Sequence, residues 1–326
     1  MKAAWRDRYG PPTIVEVRDV ERPTPSADQV LVRVHAASVN RADIDGLYPR
    51  WQFTRAFLGI RAPRVHGVGI DVAGTVETVG PEVTRLRPGD RVYADTFAFG
   101  QGTFAEYVCV PERALRLIPA NLGFEEASTL PHSAVLAVQG LRLRNGRTVG
   151  RGDTVLVSGA SGNVGPFAVQ VAKARGAEVT GSSSTGKMDF VRSLGADHVI
   201  DYTMVDYARG GERYDWILDV EARHSVVTAR RALRPGGVYV SLGGPSSTIA
   251  DSLLVAPFAS VATGKRMGLL LWWKPFNAAD VATVEELVAS GKLVPRIDRR
   301  YPLDQVVDAL RWVDEGRATG KVIVTP

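Results

Sequence analysis

The sequence predicts an α/β protein: a doubly wound parallel sheet flanked by a β-rich segment before it and a short return segment after it. Three observations predict this. Residues 1–122 carry short apolar runs broken by Gly and Pro, the pattern of a compact, barrel-like β domain. Residues 123–289 alternate short β-branched runs with helical stretches, the order that builds a parallel sheet with right-handed crossovers. Residues 290–326 return to short strands around one helix and can rejoin the first segment. A chain of 326 residues exceeds one typical core and suggests two domains.

In the first segment the strand candidates are 13–17, 29–36, 71–79, 90–94 and 105–110. Turns separate them at Gly10-Pro-Pro12, Pro23, Pro25, Gly80-Pro81 and Pro88-Gly89. Between Asn40 and Gly69 the alternation fails. Bulky groups gather there: Tyr48, Trp51, Phe53, Phe57 and Leu58. Such a stretch reads either as a substrate wall or lid, or as a packed surface helix.

The middle segment opens with a helical stretch over 124–140, interrupted by Pro131. The run Asp153-Thr-Val-Leu-Val-Ser-Gly-Ala-Ser-Gly-Asn-Val-Gly165 follows. Residues 154–157 suit a buried parallel strand. Small residues then permit a sharp turn, and Val164, Ala168, Val169, Val171 and Ala172 form a helical face that stops at Gly176. A second strand begins at Glu178. Strand, glycine turn, helix, strand is the first half of a dinucleotide-binding unit: the helix N-terminus offers unpaired N–H groups to a pyrophosphate. In the G-x-G-x-x-G register the three places are Ala160, Gly162 and Gly165, so the first glycine is replaced. At the end of the second strand, where NAD sites place an acid, the chain reads Thr180-Gly-Ser-Ser-Ser-Thr-Gly-Lys187. Ser182, Ser183, Ser184 and Lys187 can meet a 2′-phosphate, and no acid stands there to repel it, which favours NADP(H) over NAD(H). Further on, 188–194 reads as helix, 199–200 as strand, 216–220 as strand and 225–233 as a helix stopped by Pro235-Gly-Gly237. Strands at 238–242 and 267–273, a helix at 281–290, a helix at 304–314 and a closing strand at 320–324 complete the chain.

Composition bounds the partners. Hydrophobic residues are 45% and charged residues 23%, ordinary for a globular protein. The one cysteine, Cys109, excludes an internal disulfide framework and a multi-cysteine zinc site, and fits a reducing cytoplasm. The first eight residues lack the apolar core of a signal peptide, and 267–273 is too short to span a membrane. The net charge of +5 comes from dispersed Lys and Arg, not a basic stripe, which argues against nucleic acid.

The chain resembles the zinc-free medium-chain dehydrogenase/reductases, the quinone oxidoreductase and enoyl reductase group. The landmarks are Met1-Lys-Ala-Ala…Tyr9-Gly-Pro-Pro12, Val32-Arg-Val-His-Ala-Ala-Ser-Val-Asn40, Asp71-Val-Ala-Gly74, Arg87-Pro-Gly-Asp-Arg-Val92, Phe104-Ala-Glu-Tyr-Val108, Gly159-Ala-Ser-Gly162, Leu194-Gly-Ala-Asp-His-Val-Ile-Asp-Tyr202 and Gly320-Lys-Val-Ile-Val324. The resemblance implies a GroES-like catalytic domain made from both chain ends (1–122 completed by 290–326), with a Rossmann cofactor domain (123–289) between them and an active site in the cleft. It places the zinc-ligand positions of related enzymes at Asn40, Ile70 and near His132, which cannot supply three protein ligands; no metal is expected.

What the resemblance implies chemically is hydride transfer from NADPH to an activated C=C or a quinone. The protein then orients the nicotinamide, stabilises the forming enolate and delivers a proton. Asn40 and Tyr48 are candidates for polar substrate contacts, with Tyr48 the better proton source; Asp43 is expected to fix the loop. His132 is either a proton donor near the nicotinamide or a histidine bonded to backbone. The turn Ser161, Gly162, Asn163 and Val164 is assigned to the pyrophosphate; Ser182, Ser183, Lys187 and Tyr202 to the 2′-phosphate; and Leu242 and Gly243 to the nicotinamide half. Lys321 either lies near the cofactor or is a solvated strand-end lysine. Three departures from the family pattern stand out: Asn163 for Gly, Leu136 for Thr, and Val220-Glu-Ala-Arg-His224 for a small neutral run.

The resulting expectation is a cytoplasmic, homodimeric, zinc-independent NADPH-dependent reductase of enones, enals or quinones. Two others stand beside it: a biosynthetic enzyme on a bulky natural-product intermediate, even a redox-neutral cyclase, and a catalytically silent cofactor-binding or interaction protein.

Overall fold

A computed structural model describes residues 1–49, 59–270, 273–275 and 277–326. The chain forms two compact units. The first comprises Met1–Ser133, Pro275–Val281 and Pro295–Pro326; the second comprises Ala134–Lys274 and Ala282–Val294. Trp51, Phe53, Phe57 and Leu58 of the aromatic stretch lie outside the described residues.

In the first unit, strand Gln29–Val39 is the hub. It is apolar on both faces over most of its length, so it can be buried by neighbours on each side. It pairs antiparallel with Asp71–Val79, Tyr107–Pro111 and Lys321–Thr325. Asp71–Val79 continues to Arg91–Asp95, with Asp71 directly opposite Asp95. Gly74 allows strands to cross closely: a Cβ there would stand 2.1 Å from the Arg33 carbonyl oxygen. The helix Val306–Asp314 buries Val306, Ala309, Leu310 and Val313, one stripe at helical spacing, into the same core. Around residue 13 the expected strand is shifted. Pro11 and Pro12 open a 3₁₀ turn over Pro12–Ile14, and the strand is Glu16–Asp19, paired with Lys2–Trp5.

The second unit holds a six-stranded parallel sheet. Its spatial order is His198–Asp201, Glu178–Ser183, Thr154–Ser158, Tyr214–Asp219, Leu233–Ser241 and Arg266–Leu269. The chain therefore reverses direction across the sheet between Thr154–Ser158 and Tyr214–Asp219, the point where such sheets open a crevice at their carboxyl edge.

Two sequence expectations are corrected here. The helix expected over 225–233 is only Val226–Ala229 plus a 3₁₀ turn, and the strand starts at Leu233. Pro235-Gly236-Gly237 lies inside that strand, at a register shift between Tyr214 and Trp216 of its neighbour; Gly236 takes φ +73°. A bulge accommodates the missing N–H and the positive φ. Helices Ser246–Leu254 and Ala256–Thr263 follow the fifth strand, where no helix was expected. Among the described residues, no helix is long and apolar enough to cross a membrane.

Candidate active site and cofactor site

The first unit encloses a polar network where apolar strands end. Asn40 follows Gln29–Val39 and caps the helix Arg41–Leu47: its backbone N–H donates to Asp43 Oδ2 at 2.7 Å. Its side chain is fully engaged. Nδ2 donates to Asp71 Oδ2 at 2.8 Å and the Ser38 carbonyl at 3.3 Å, while Oδ1 accepts from Lys321 Nζ at 2.6 Å and Ser133 Oγ at 3.0 Å. Lys321 opens the closing strand and is 1% exposed; Nζ also donates to Ser133 Oγ at 3.0 Å and lies 3.6 Å from Asp71 Oδ2. It is not a solvated strand-end lysine.

His132 adjoins this network. Its backbone N–H donates to Asp71 Oδ1 at 3.1 Å, and its Nδ1 lies 2.9 Å from Asp95 Oδ2. A carboxylate acceptor fixes Nδ1 as the donor. Asp95 Oδ1 is anchored by the Phe97 N–H at 2.8 Å. The His132 side chain is thus tied through Nδ1 to the Asp95 carboxylate.

The charges set the proton affinities. Burial alone would lower the His132 pKa, but the charge and hydrogen bond of Asp95, with Asp71 behind it, hold it above the ordinary imidazole value. Burial pulls Lys321 below its ordinary value, opposed by Asp71 and Asp43. Burial raises Asp71, with Lys321 opposing, and pushes Asp43 up to about 7 against the pull of the Asn40 N–H. Two carboxylates, an ammonium and an imidazolium can balance in one buried cluster. Asp71, Asp95 and Ser133 were not among the sequence candidates; the available signal was a carboxylate inside an apolar strand run, at Ile70-Asp-Val-Ala73 and Val92-Tyr-Ala-Asp95.

The residues do not suit a zinc ion. Asn40 is saturated by four partners, Ile70 is an aliphatic side chain with no ligand atom, and the Lys321 ammonium would repel a dication. Tyr48 is not drawn into the network. Its hydroxyl donates to Asp314, which also receives Arg41 at 3.3 Å, and burial followed by Asp314 pushes its pKa upward. A phenol so held releases its proton reluctantly.

In the second unit, the turn after Thr154–Ser158 runs through Gly159, at φ +79°, to Val164, the N-cap of the helix Gly165–Ala174. Any Cβ at Gly165 would lie 2.2 Å from the Gly159 carbonyl oxygen, so only glycine lets the helix start this close to the strand. Ser161, Gly162, Asn163 and Val164 form this turn, at the N-terminus of a ten-residue helix. Ser182 and Ser183 end Glu178–Ser183 and are buried; the Ser182 carbonyl accepts the Ala160 N–H at 2.9 Å, tying the strand end to the turn. Lys187 closes the 3₁₀ turn Thr185–Lys187 beyond them. The Tyr202 N–H donates to the Ser183 carbonyl at 3.1 Å. Leu242 and Gly243 follow Leu233–Ser241, and the Leu242 N–H donates to the Asp219 carbonyl at 2.9 Å. The cofactor candidates other than Lys321 thus cluster along the carboxyl edge of this sheet, whereas Lys321 belongs to the network of the first unit.

Residues 26–120 match a family described as alcohol dehydrogenase GroES-like domain, and residues 194–324 one described as zinc-binding dehydrogenase. A 2-methylene-furan-3-one reductase of Solanum lycopersicum is 32% identical over 100% of this chain and 79% of its own length. The chain belongs to the zinc-free medium-chain dehydrogenase/reductases. Another relative, an NADPH-dependent alkenal/one oxidoreductase of Arabidopsis thaliana, chloroplastic, is 32% identical over 100% of this chain and 80% of its own. The structure of a quinone oxidoreductase from Coxiella burnetii superposes with a TM-score of 0.87 at 28% identity, covering 100% and 99% of the two chains. This medium-chain dehydrogenase/reductase is accordingly an oxidoreductase of a nicotinamide-dependent family, with a GroES-like unit and a parallel-sheet unit.

Proposed function

We propose that the enzyme is an NADPH-dependent reductase of an activated C=C, in an enone or enal, or of a quinone. The observation that carries this reading is the His132–Asp95 pair beside Lys321 and Asn40: a buried imidazole on a carboxylate, next to an ammonium. A conjugated carbonyl needs no more. A bound nicotinamide would supply hydride to the electrophilic carbon, the electron pair would move onto the carbonyl oxygen, and what the protein must add is a proton for the α-carbon or oxygen. His132, whose proton affinity the Asp95 carboxylate raises, supplies that proton. Asn40, whose amide hydrogens and oxygen lone pairs are all engaged, ties Lys321, Asp71 and Ser133 together behind the imidazole. Relatives named as enone, alkenal and quinone reductases support this substrate class.

The turn Ser161–Val164 holds the pyrophosphate, with Leu242 and Gly243 along the nicotinamide half. NADP(H) is favoured because the strand end reads Ser182-Ser183-Ser184, with Lys187 and Tyr202 beside it, where an NAD site carries an acid. The test is NADPH and NADH consumption against 1,4-quinones, short 2-alkenals and bulky cyclic enones. Turnover of one class with NADPH preferred is expected. NADPH binding without consumption across the panel would overturn the reductase reading and favour a redox-neutral reaction on a bulkier substrate.

A homodimer is also proposed. Among the described residues, Arg266–Leu269 ends its sheet with one strand partner, and Phe258 and Val261 on the neighbouring helix are 77% and 88% exposed. Sedimentation of the wild type and Phe258→Asp tests it: a dimer that the variant weakens is expected, and a monomer in the wild type would refute it.

A further inference from the structure

We propose that Arg223, held in place by its stack on Tyr202, is the anchor for the cofactor's 2′-phosphate. This rests on the NADP(H) reading above. Arg223 follows Tyr214–Asp219, on one side of the point where strand order reverses; Tyr202 follows His198–Asp201, two strands beyond it on the other side. The parent strands stand about 14 Å apart at the usual strand spacing. Only two long side chains can close that gap, and these do: the Arg223 guanidinium lies over the Tyr202 ring, 4.6 Å from its centroid.

The pair therefore spans the carboxyl ends of Thr154–Ser158 and Glu178–Ser183, the edge where a dinucleotide lies in such sheets. Both ends are tied to that edge. The Val220 N–H donates to the Ser158 carbonyl at 3.1 Å, and the Val220 Cβ would come within 3.3 Å of a Cβ on Gly159. On the far side, the Tyr202 N–H bonds the Ser183 carbonyl at 3.1 Å. Arg223 is also half-exposed, its side chain 60% accessible, so its N–H fork can reach a ligand.

The charges around it are mixed, and a dianion would have to outcompete one carboxylate for the guanidinium. The nearby acids are Glu221, 3.5 Å from Arg223, and Asp201, whose oxygens take the Thr185 hydroxyl at 2.5 Å and the Thr203 N–H at 2.9 Å. Among the described residues Glu221 is the acid paired with Arg223, and a 2′-phosphate would displace it. A planar guanidinium meets phosphate with two parallel hydrogen bonds, and a lysine cannot copy that geometry. The position that departs from the family's small neutral run thus gains a task.

The experiment measures NADPH and NADH dissociation constants, by quenching of protein fluorescence, for the full-length wild type, Arg223→Ala, Arg223→Lys and Glu221→Gln. Arg223→Ala is expected to weaken NADPH about tenfold and leave NADH unchanged. Arg223→Lys should recover only part of the loss, and Glu221→Gln should tighten NADPH alone. A wild type that prefers NADPH, with Arg223→Ala keeping that preference, overturns the inference and leaves the NADP(H) reading standing. A wild type that binds both cofactors equally overturns both. Equal loss of NADPH and NADH in Arg223→Ala would show a general structural effect and also overturns the anchor.

Discussion

Replacing Lys321 by Met keeps the chain's length and removes its charge from the buried network. The ammonium makes hydrogen bonds of 2.6 Å to Asn40 and 3.0 Å to Ser133, and stands 3.6 Å from Asp71. All of these partners are buried, so no water replaces it. Breaking a buried ion pair by deleting one member costs about 3–5 kcal/mol, because the remaining charge stays desolvated. Asp71 can escape part of that cost by taking up a proton. Burial already raises its pKa against the pull of Lys321, and without the lysine it rises further. The folded variant then keeps a proton that the unfolded chain releases above about pH 4. Its stability falls as pH rises through that window, so the deficit against wild type is smaller at pH 5 than at pH 8. Hydrogen exchange of the amides in Gln29–Val39 and Lys321–Thr325 measures the opening free energy of this unit directly. Asp71→Asn added to Lys321→Met should restore part of the loss, since no charge is then stranded. A deficit below about 1 kcal/mol, or one equal at both pH values, would refute the account of a buried ion network.

His132→Gln should lower turnover on the order of 100-fold with cofactor affinity unchanged. With wild type, turnover should fall as pH rises through the elevated His132 pKa, and Asp95→Asn should move that descending limb to lower pH; stopped-flow rates from pH 5 to 9 decide it. Gly165→Ala drives a Cβ to 2.2 Å from the Gly159 carbonyl oxygen and should abolish binding of NADPH and NADH alike, measured by calorimetry. Tyr48→Phe removes the hydroxyl that Asp314 accepts; it should cost about 1 kcal/mol in a urea titration and leave turnover within a fewfold of wild type, whereas a large loss of turnover would return Tyr48 to the chemistry.

Most of the parallel sheet was legible because its strands carry local signatures, and the glycine turn and its helix followed from residues close in sequence. In the antiparallel unit the strand over 71–79 was bounded at both ends. The fifth strand was misread because Pro235-Gly-Gly237 is an element-breaker in isolation, and only pairing with Tyr214–Asp219 lets it sit in a bulge. The helices over 246–263 went unread because their exposed faces carry Leu254, Phe258 and Val261, which blurs the usual polar-outside pattern. The site was legible in part: Asn40 and His132 stood out as residues, but their company did not. Asp71 and Asp95 meet through strand register, and Lys321 reaches Asn40 across 281 positions of chain. Periodicity reports only on neighbours a few residues apart, so contacts of that kind leave no trace in it.

That sequence separation imposes an order on biosynthesis. When the ribosome has made Asn40, Asp71, Asp95 and His132, the strand that brings the ammonium is still untranslated, and the whole parallel-sheet unit must be made first. The nascent β-rich unit therefore carries two carboxylates in an interior lacking one of its two cations. It would hold those acids protonated, or stay loose, until Lys321–Thr325 docks against Ala37, Ser38 and Val39. Proofreading of a sort results: a chain interrupted anywhere before residue 321 lacks the lysine that holds Asn40 in place, and its buried carboxylates stay uncompensated however well its parallel-sheet unit has folded.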